Sequence, residues 1–143
     1  MMKLISRFAL PMVIIVILYL LISGNLFSMN LLLIVQVLAF LMMPWARHSF
    51  QPGQFSIHAE PKEGQVLVSG PYQYIRHPMY ASVLTIIWAG IAGHFSPTTL
   101  VIGVIVTLVV TIRIMIEEQY LRTHYPDYVH QSRKTKRIIP FVI

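Results

Sequence analysis

Cysteine is absent from the chain. This absence excludes a disulfide framework, a thiolate zinc site and a cysteine nucleophile. Charged residues are also scarce, at 11% of the 143 residues, whereas soluble domains average about 25%. Only five residues are acidic, against eleven lysines and arginines. The sequence also contains neither a glycine-rich dinucleotide fingerprint nor a phosphate-binding loop, so the common nucleotide-binding motifs are excluded as well.

What the chain does contain is apolar sequence: hydrophobic residues make up 56% of it and the mean hydropathy is +0.68. A chain this short cannot bury so much apolar surface inside itself, so we expect lipid to surround it. The sequence predicts an all-α integral membrane protein that forms a single domain over residues 1–143. The apolar runs predict about four transmembrane helices, at residues 4–23, 29–46, 79–93 and 98–116.

The basic residues predict how these helices are oriented. With four spans, every lysine and arginine falls on the side of the N-terminus, and the turns at 24–30 and 94–97 contain none. The positive-inside rule then places both termini, a loop at 47–77 and a tail at 117–143 in the cytoplasm. Bases at the ends of apolar runs fit membrane lipids as partners and do not fit nucleic acid.

The densest polar motif precedes the predicted hairpin of the last two helices and reads Gly70-Pro71-Tyr72-Gln73-Tyr74-Ile75-Arg76-His77-Pro78-Met79-Tyr80. A residue before proline is extended, and Pro78 suits the first position of a helix. His77 is therefore expected at a helix N-terminus, whose free N–H groups suit a carboxylate or phosphate. The alternative is that the tyrosines and Arg76 are only interfacial anchors, which would not need Gly-Pro and His-Pro.

A second signal is Glu117-Glu118, directly after the fourth predicted span. Ionisable residues at a membrane boundary are rare and usually functional. Adjacent helical residues point about 100° apart, so the two carboxylates are expected to serve different purposes. One could pair with Arg113 and the other could receive an ammonium group. The alternative is a solvated helix end.

The third signal is the tail, where Tyr125-Pro126-Asp127-Tyr128 is followed by four bases and an apolar ending. The bases alone fit anionic lipid heads. The apolar ending predicts that the C-terminus packs back against the protein. The remaining histidines show no metal-ligand spacing, so no metal site is predicted.

Together the three signals resemble the isoprenylcysteine carboxyl methyltransferase family and its membrane phospholipid methyltransferase relatives. That family carries Gly-Pro-Tyr…Arg-His-Pro-x-Tyr before a helical hairpin, then a Glu-Glu-x-x-x-Leu helix and a tail with Arg-x-Ile-Pro. Here the matching residues are Gly70-Pro71-Tyr72, Arg76-His77-Pro78-Met79-Tyr80, Glu117-Glu118 with Leu121, and Arg137-Ile138-Ile139-Pro140. The resemblance covers about residues 64–143.

The resemblance implies a methyltransferase that uses S-adenosylmethionine, with the cytoplasmic loop and the tail covering the cofactor site. The implied acceptor is lipophilic: a prenylcysteine-like carboxylate, a phospholipid amine or a small lipophilic nucleophile. Departures from the family pattern at Gln73, Tyr125-Pro126 and Gln131 lie around the acceptor side and leave the acceptor open. The chain is shorter than the eukaryotic members, with room for four spans at most. The expected location is a prokaryotic cell membrane. Its oligomeric state is open.

The resemblance also implies which residues form the site. His77 and the helix N-terminus would hold the cofactor carboxylate, and tyrosine faces would hold the adenine or the sulfonium. Whether Glu117 or Glu118 takes the ammonium is open, as is whether His77 is a base or a ligand. Arg137 would hold an anionic acceptor group. The implied catalytic residues are Arg137, Glu118 and His77, and the implied cofactor-binding residues are Gly70, Pro71, Tyr72, Tyr74, His77, Pro78, Tyr80, Glu117, Glu118 and Tyr125.

Two other functions remain open from the sequence. Membrane reductases of the sterol-reductase type resemble this family in their C-terminal half and use NADPH. A non-enzymatic membrane protein whose basic tail binds anionic lipid would also fit the composition.

Overall fold

The computed structural model describes residues 2–50 and 69–138, with side chains from Arg7 onward. Within these residues the regular structure is helical. Most of the predicted loop at 47–77 and the last five residues of the tail lie outside the described residues. In chain order the elements are α1 (Met2–Ile22), α2 (Leu31–His48), a short 3-10 turn (Gly70–Gln73), α3 (Pro78–Gly93), α4 (Pro97–His124) and α5 (Pro126–Lys134).

The first four helices lie where the apolar runs predicted them, except at the end of α4. This helix continues to His124 instead of ending near residue 116. The added segment contains Glu, Gln, Leu and Arg, which are good helix formers. Its polar end therefore extends α4 beyond its apolar part and carries Glu117 and Glu118. Helix α5 was not predicted.

The chain is a membrane protein by the composition and exposure of its helices. Helices α2 and α4 are long and apolar enough to cross a bilayer. Only 17% of the most apolar 18-residue stretch of α2 is buried inside the protein, and 33% of that of α4. Large apolar side chains face outward, such as Leu38 at 63% and Leu108 at 59% exposure, which suits lipid. Helix α3 and the part of α1 with described side chains are shorter, so the four-span topology stays a prediction.

Helices α3 and α4 form the predicted hairpin. The turn between them is closed by a capping box, in which Ser96 Oγ accepts from the N–H of Thr99 at 3.1 Å and Thr99 Oγ1 accepts from the N–H of Ser96 at 3.0 Å. Further along, Trp88 Nε1 donates to Thr107 Oγ1 at 3.0 Å. Helix α1 packs on α4 and α2 packs on α3. The hairpin therefore brings the start of α3 beside the polar end of α4.

A buried polar side chain ties α2 to the rest of the bundle. Gln36 Nε2 donates to the carbonyl of Leu26 at 2.6 Å and to that of Ile86 at 3.0 Å. Its Oε1 accepts from the N–H of Ser28 at 3.2 Å, and Ser28 Oγ donates to the carbonyl of Ala89 at 3.0 Å. Both the NH2 group and the oxygen of the Gln36 amide thus form hydrogen bonds, and these bonds hold the α1–α2 turn against α3.

The same turn explains the glycines of α3. A Cβ atom on Gly90 would collide with the carbonyl of Leu26 and lie 2.9 Å from that of Asn25. A Cβ atom on Gly93 would collide with the side chain of Ser28. These contacts make Gly90–Gly93 a close-packing face.

Candidate active site

The ionisable side chains of α3, α4 and α5 gather at one end of the bundle. This end contains the start of α3, the last turns of α4, and α5. At the opposite end, the turns at 23–30 and 94–96 contain no lysine or arginine. The lysines and arginines are therefore absent from these two turns, and the carboxylates of α4 lie at the other, polar end. That this end faces the cytoplasm stays a prediction.

Glu118 lies at the centre of the polar end and is only 3% exposed. Its Oε1 is 3.0 Å from Nε of Arg76 and 3.4 Å from Nε2 of His77. Its Oε2 is 3.2 Å from Nε of Arg137 and 3.7 Å from Nη2 of Arg122. The side chains of Arg76 and His77 are buried, whereas those of Arg122 and Arg137 are about half exposed, at 52% and 48%. One oxygen thus faces fixed, buried partners and the other faces partners that reach solvent.

Glu117 belongs to a separate network. Its Oε2 accepts a hydrogen bond from the hydroxyl of Tyr80 at 2.9 Å, and that hydroxyl accepts from Nε of Arg113 at 2.7 Å. The Tyr80 ring lies 5.7 Å from the ring of His77, which brings the two networks side by side. The two adjacent carboxylates therefore have different partners, as their spacing predicted, and Glu118 is the buried one.

The tail packs back onto the start of α3, as its apolar ending predicted. The N–H of Arg76 donates to the carbonyl of Lys136 at 2.7 Å, and the N–H of His77 donates to that of Arg137 at 3.0 Å. Lys136 and Ile75 form a parallel bridge. The tail therefore engages the amide of His77 itself, and the binding of a ligand anion at the N-terminus of α3 stays a prediction.

Gly70 and Pro71 have a packing reason for their positions. Gly70 has a φ of +58°, a left-handed conformation that glycine adopts without strain. A Cβ atom there would collide with the side chain of Ser49 and lie 3.4 Å from Nε1 of Trp45. The Gly-Pro turn therefore packs against the end of α2. Pro78 begins α3 with His77 as its N-cap, as predicted.

The other tyrosines of the predicted site differ in placement. Tyr72 is 9% exposed and packs edge-on against Phe50, with ring centroids 5.7 Å apart. Burial, followed by the charge of Glu117, raises the pKa of the Tyr72 hydroxyl. Tyr125 is half-buried at the junction of α4 and α5. Tyr74 is 55% exposed, so the structure does not bring it into the core of the site.

Sequence reasoning missed two residues of this site, Arg76 and Tyr128. Arg76 lies between Glu118 and α5, where it also donates to the carbonyl of Ser132. Tyr128 is 4% exposed, and its hydroxyl has no hydrogen-bond partner among the described residues. Arg76 precedes His77 in the first motif, which was a signal for it. Tyr128 stood in the tail motif, but it was not assigned to the site because α5 was not predicted as a helix.

The apolar bundle with a buried polar cluster at one end defines the class, a helical membrane protein. The model of the isoprenylcysteine carboxyl methyltransferase (ICMT) family matches residues 26–123. The chain belongs to this family, whose members are methyltransferases that use S-adenosylmethionine. The match starts before α2, where sequence reasoning detected no family signature, and ends before α5.

The chain is also similar to the cobalt-zinc-cadmium resistance protein CzcN of Cupriavidus metallidurans. The two are 28% identical over 80 residues, which is 55% of this chain and 37% of that protein. The chain thus spans well under half the length of this relative. No solved structure matches the chain.

Proposed function

We propose that the chain is an integral membrane methyltransferase that transfers the methyl group of S-adenosylmethionine to a lipophilic acceptor at the cytoplasmic face of a prokaryotic cell membrane. The observation that carries the proposal is the buried carboxylate of Glu118, set among four basic side chains at the polar end of an apolar bundle. Family membership supports the reaction class.

The residues of the polar end fit the cofactor's charged groups. Glu118 suits the ammonium, because two of its present partners, Arg122 and Arg137, are half exposed and can turn to solvent. His77 and Tyr80 offer neighbouring ring faces, and tyrosine can attract a sulfonium by cation–π interaction. Tyr72 adds a buried ring for the adenine. We therefore assign Glu118 to the ammonium and leave Glu117 to hold Tyr80 in place.

When bound, S-adenosylmethionine supplies an electrophilic methyl group on a cationic sulfur. The chain then needs mainly to align an acceptor atom with that group, and positioning alone can lower the barrier by several kcal/mol, up to about 7–11. Arg137 can orient an anionic acceptor bidentately once it leaves Glu118. A carboxylate acceptor needs no base, while an ammonium acceptor must lose a proton first, for which His77 is the buried candidate.

The test is isothermal titration of the detergent-purified chain with S-adenosylmethionine. We expect the wild type to bind, Glu118→Gln to lose most of its affinity, and Asp127→Asn to bind like the wild type. Asp127 is the matched control, because it is an exposed carboxylate in the first turn of α5. Equal affinity in all three proteins would remove Glu118 from the site.

The acceptor is identified by transfer of a labelled methyl group. Prenylcysteine analogues, phospholipid amines and small lipophilic thiols and amines would be offered in turn to the folded protein. Failure to bind the cofactor, together with thermal protection by NADPH, would favour a membrane reductase. Protection by neither ligand would favour a non-enzymatic lipid-binding protein.

A further inference from the structure

The Tyr128 hydroxyl is an unusual feature of the polar end. Its side chain is more than nine-tenths buried, and no described residue forms a hydrogen bond with the hydroxyl. A buried polar group without a partner destabilises a fold, because it has lost its hydrogen bonds to water. Burial and then the charge of Glu118 raise the pKa of this hydroxyl, so it keeps its proton at neutral pH and acts as a donor.

A second donor near Glu118 is also incompletely used. Nε of Arg76 lies 3.0 Å from Oε1 of Glu118, but no acceptor among the described residues is aligned with its N–H. The same guanidinium donates through Nη1 to the carbonyl of Ser132. Ser132 follows Tyr128 by one helical turn, so both lie on the same face of α5. Arg76 therefore contacts the backbone of α5 one turn after Tyr128.

Nδ1 of His94 also lacks a partner among the described residues, but it lies in the turn between α3 and α4, at the opposite end of the bundle from Glu118. The amide of Gln36 is satisfied within the bundle. His77, the expected carboxylate partner, is already engaged: its N–H bonds to the tail and its Nε2 faces Glu118. Two buried donors that lack an aligned acceptor among the described residues thus lie near the buried carboxylate of Glu118. This arrangement matches a zwitterion, whose ammonium pairs with the carboxylate and whose own carboxylate accepts from the donors.

We propose that the hydroxyl of Tyr128 and the Nε–H of Arg76 bind the carboxylate of the cofactor's amino-acid group, in place of the His77 amide. This inference rests on the proposed function. It makes α5 part of the binding site, and it makes Tyr128 a residue whose hydroxyl gains its partner only when the cofactor is bound.

The test compares Tyr128→Phe with the wild type and with Tyr19→Phe, a control at an exposed tyrosine of α1. Three quantities are measured: the melting temperature without ligand, the Kd for S-adenosylhomocysteine, and the Kd for its decarboxylated analogue. We expect Tyr128→Phe to melt at or above the wild-type temperature, because it removes an unsatisfied hydroxyl. Its Kd for S-adenosylhomocysteine should rise roughly 10- to 100-fold, the loss expected for a hydrogen bond to a charged group.

The analogue shows which ligand group the hydroxyl contacts. Since the analogue lacks the carboxylate, Tyr128→Phe and the wild type should bind it equally. An equal loss for both ligands would overturn the assignment to the carboxylate. A lower melting temperature with unchanged binding would make Tyr128 purely structural and would also overturn it. Wild-type protein that binds neither ligand would overturn the proposed function itself, which separates the two failures.

Discussion

The Glu118→Gln substitution tests whether the buried ion cluster holds the polar end of the bundle together. Glutamine keeps the shape of the side chain and one acceptor oxygen but removes the negative charge. Arg76 would then be a buried cation without a counter-ion, because its side chain is only 11% exposed. The side chain of His77 is only 3% exposed, so it would also lose its charged partner in a buried position.

The magnitude follows from which partners are buried. Removing one member of a buried ion pair typically costs about 3–5 kcal/mol. The pairs with Arg122 and Arg137 are half exposed and contribute at most about 1 kcal/mol each. Because the amide oxygen still accepts a hydrogen bond, we expect the low end, about 3 kcal/mol. For a chain of this size that lowers Tm by roughly 10 °C.

The assay is thermal unfolding of the ligand-free protein in detergent, followed by circular dichroism. Asp127→Asn is again the control, with an expected loss of under about 1 kcal/mol from the start of α5. A double-mutant cycle with Arg76→Gln adds a second check. Glu118→Gln should lower the free energy of unfolding clearly less in the Arg76→Gln background than in the wild type, because no buried cation then loses its partner. If Glu118→Gln unfolds within about 2 °C of the wild type, the cluster does not stabilise the fold and our reading of it is refuted.

Three further outcomes are expected. Gln36→Leu should destabilise the bundle by roughly 1–3 kcal/mol, since it leaves buried backbone groups unpaired, whereas the exposed control Gln119→Leu should leave Tm unchanged. Gly90→Ala should lower Tm by several degrees, because its Cβ collides with backbone of the α1–α2 turn that cannot give way; a wild-type Tm would contradict this packing. Arg137→Gln should raise KM for an anionic acceptor at least tenfold with under about 1 kcal/mol change in stability, while Lys134→Gln should change neither, as measured by labelled methyl transfer.

Much of the architecture follows from sequence because it depends on local periodicity. The four apolar runs predicted α1 to α4, and Pro78 predicted the start of α3. The separate environments of Glu117 and Glu118 followed from the geometry of adjacent helical residues alone. The family motifs in turn identified His77 and Glu118, which the fold brings within 3.4 Å.

The remainder of the site depends on contacts between residues far apart in sequence. The α3–α4 hairpin brings Arg76 next to Glu118. The folding back of the C-terminus lets the carbonyl of Arg137 accept a hydrogen bond from the amide of His77. Gly70 was assigned to the cofactor site through the family resemblance, and its close approach to Ser49 at the end of α2 gives it a packing reason as well. Tyr128 could not be assigned to the site from the sequence, because the lack of a hydrogen-bond partner for its hydroxyl among the described residues is visible only in the tertiary structure.

The partners of Glu118 differ in a way that bears on how a ligand could enter. Arg76 and His77 are buried beside Oε1, so moving either side chain away would leave a charge or a polar ring without a partner in a dry environment. The Nε–H of Arg76 can donate to a ligand carboxylate while its guanidinium stays beside Glu118. Arg122 and Arg137 contact Oε2 from the solvent side, and each regains hydration when it leaves. A cationic ligand group can therefore replace the two exposed arginines at Oε2 at little cost, while Oε1 keeps its contacts. This asymmetry lets one carboxylate both stabilise the ligand-free fold and exchange partners on binding, and it releases Arg137 toward an anionic acceptor at the same moment.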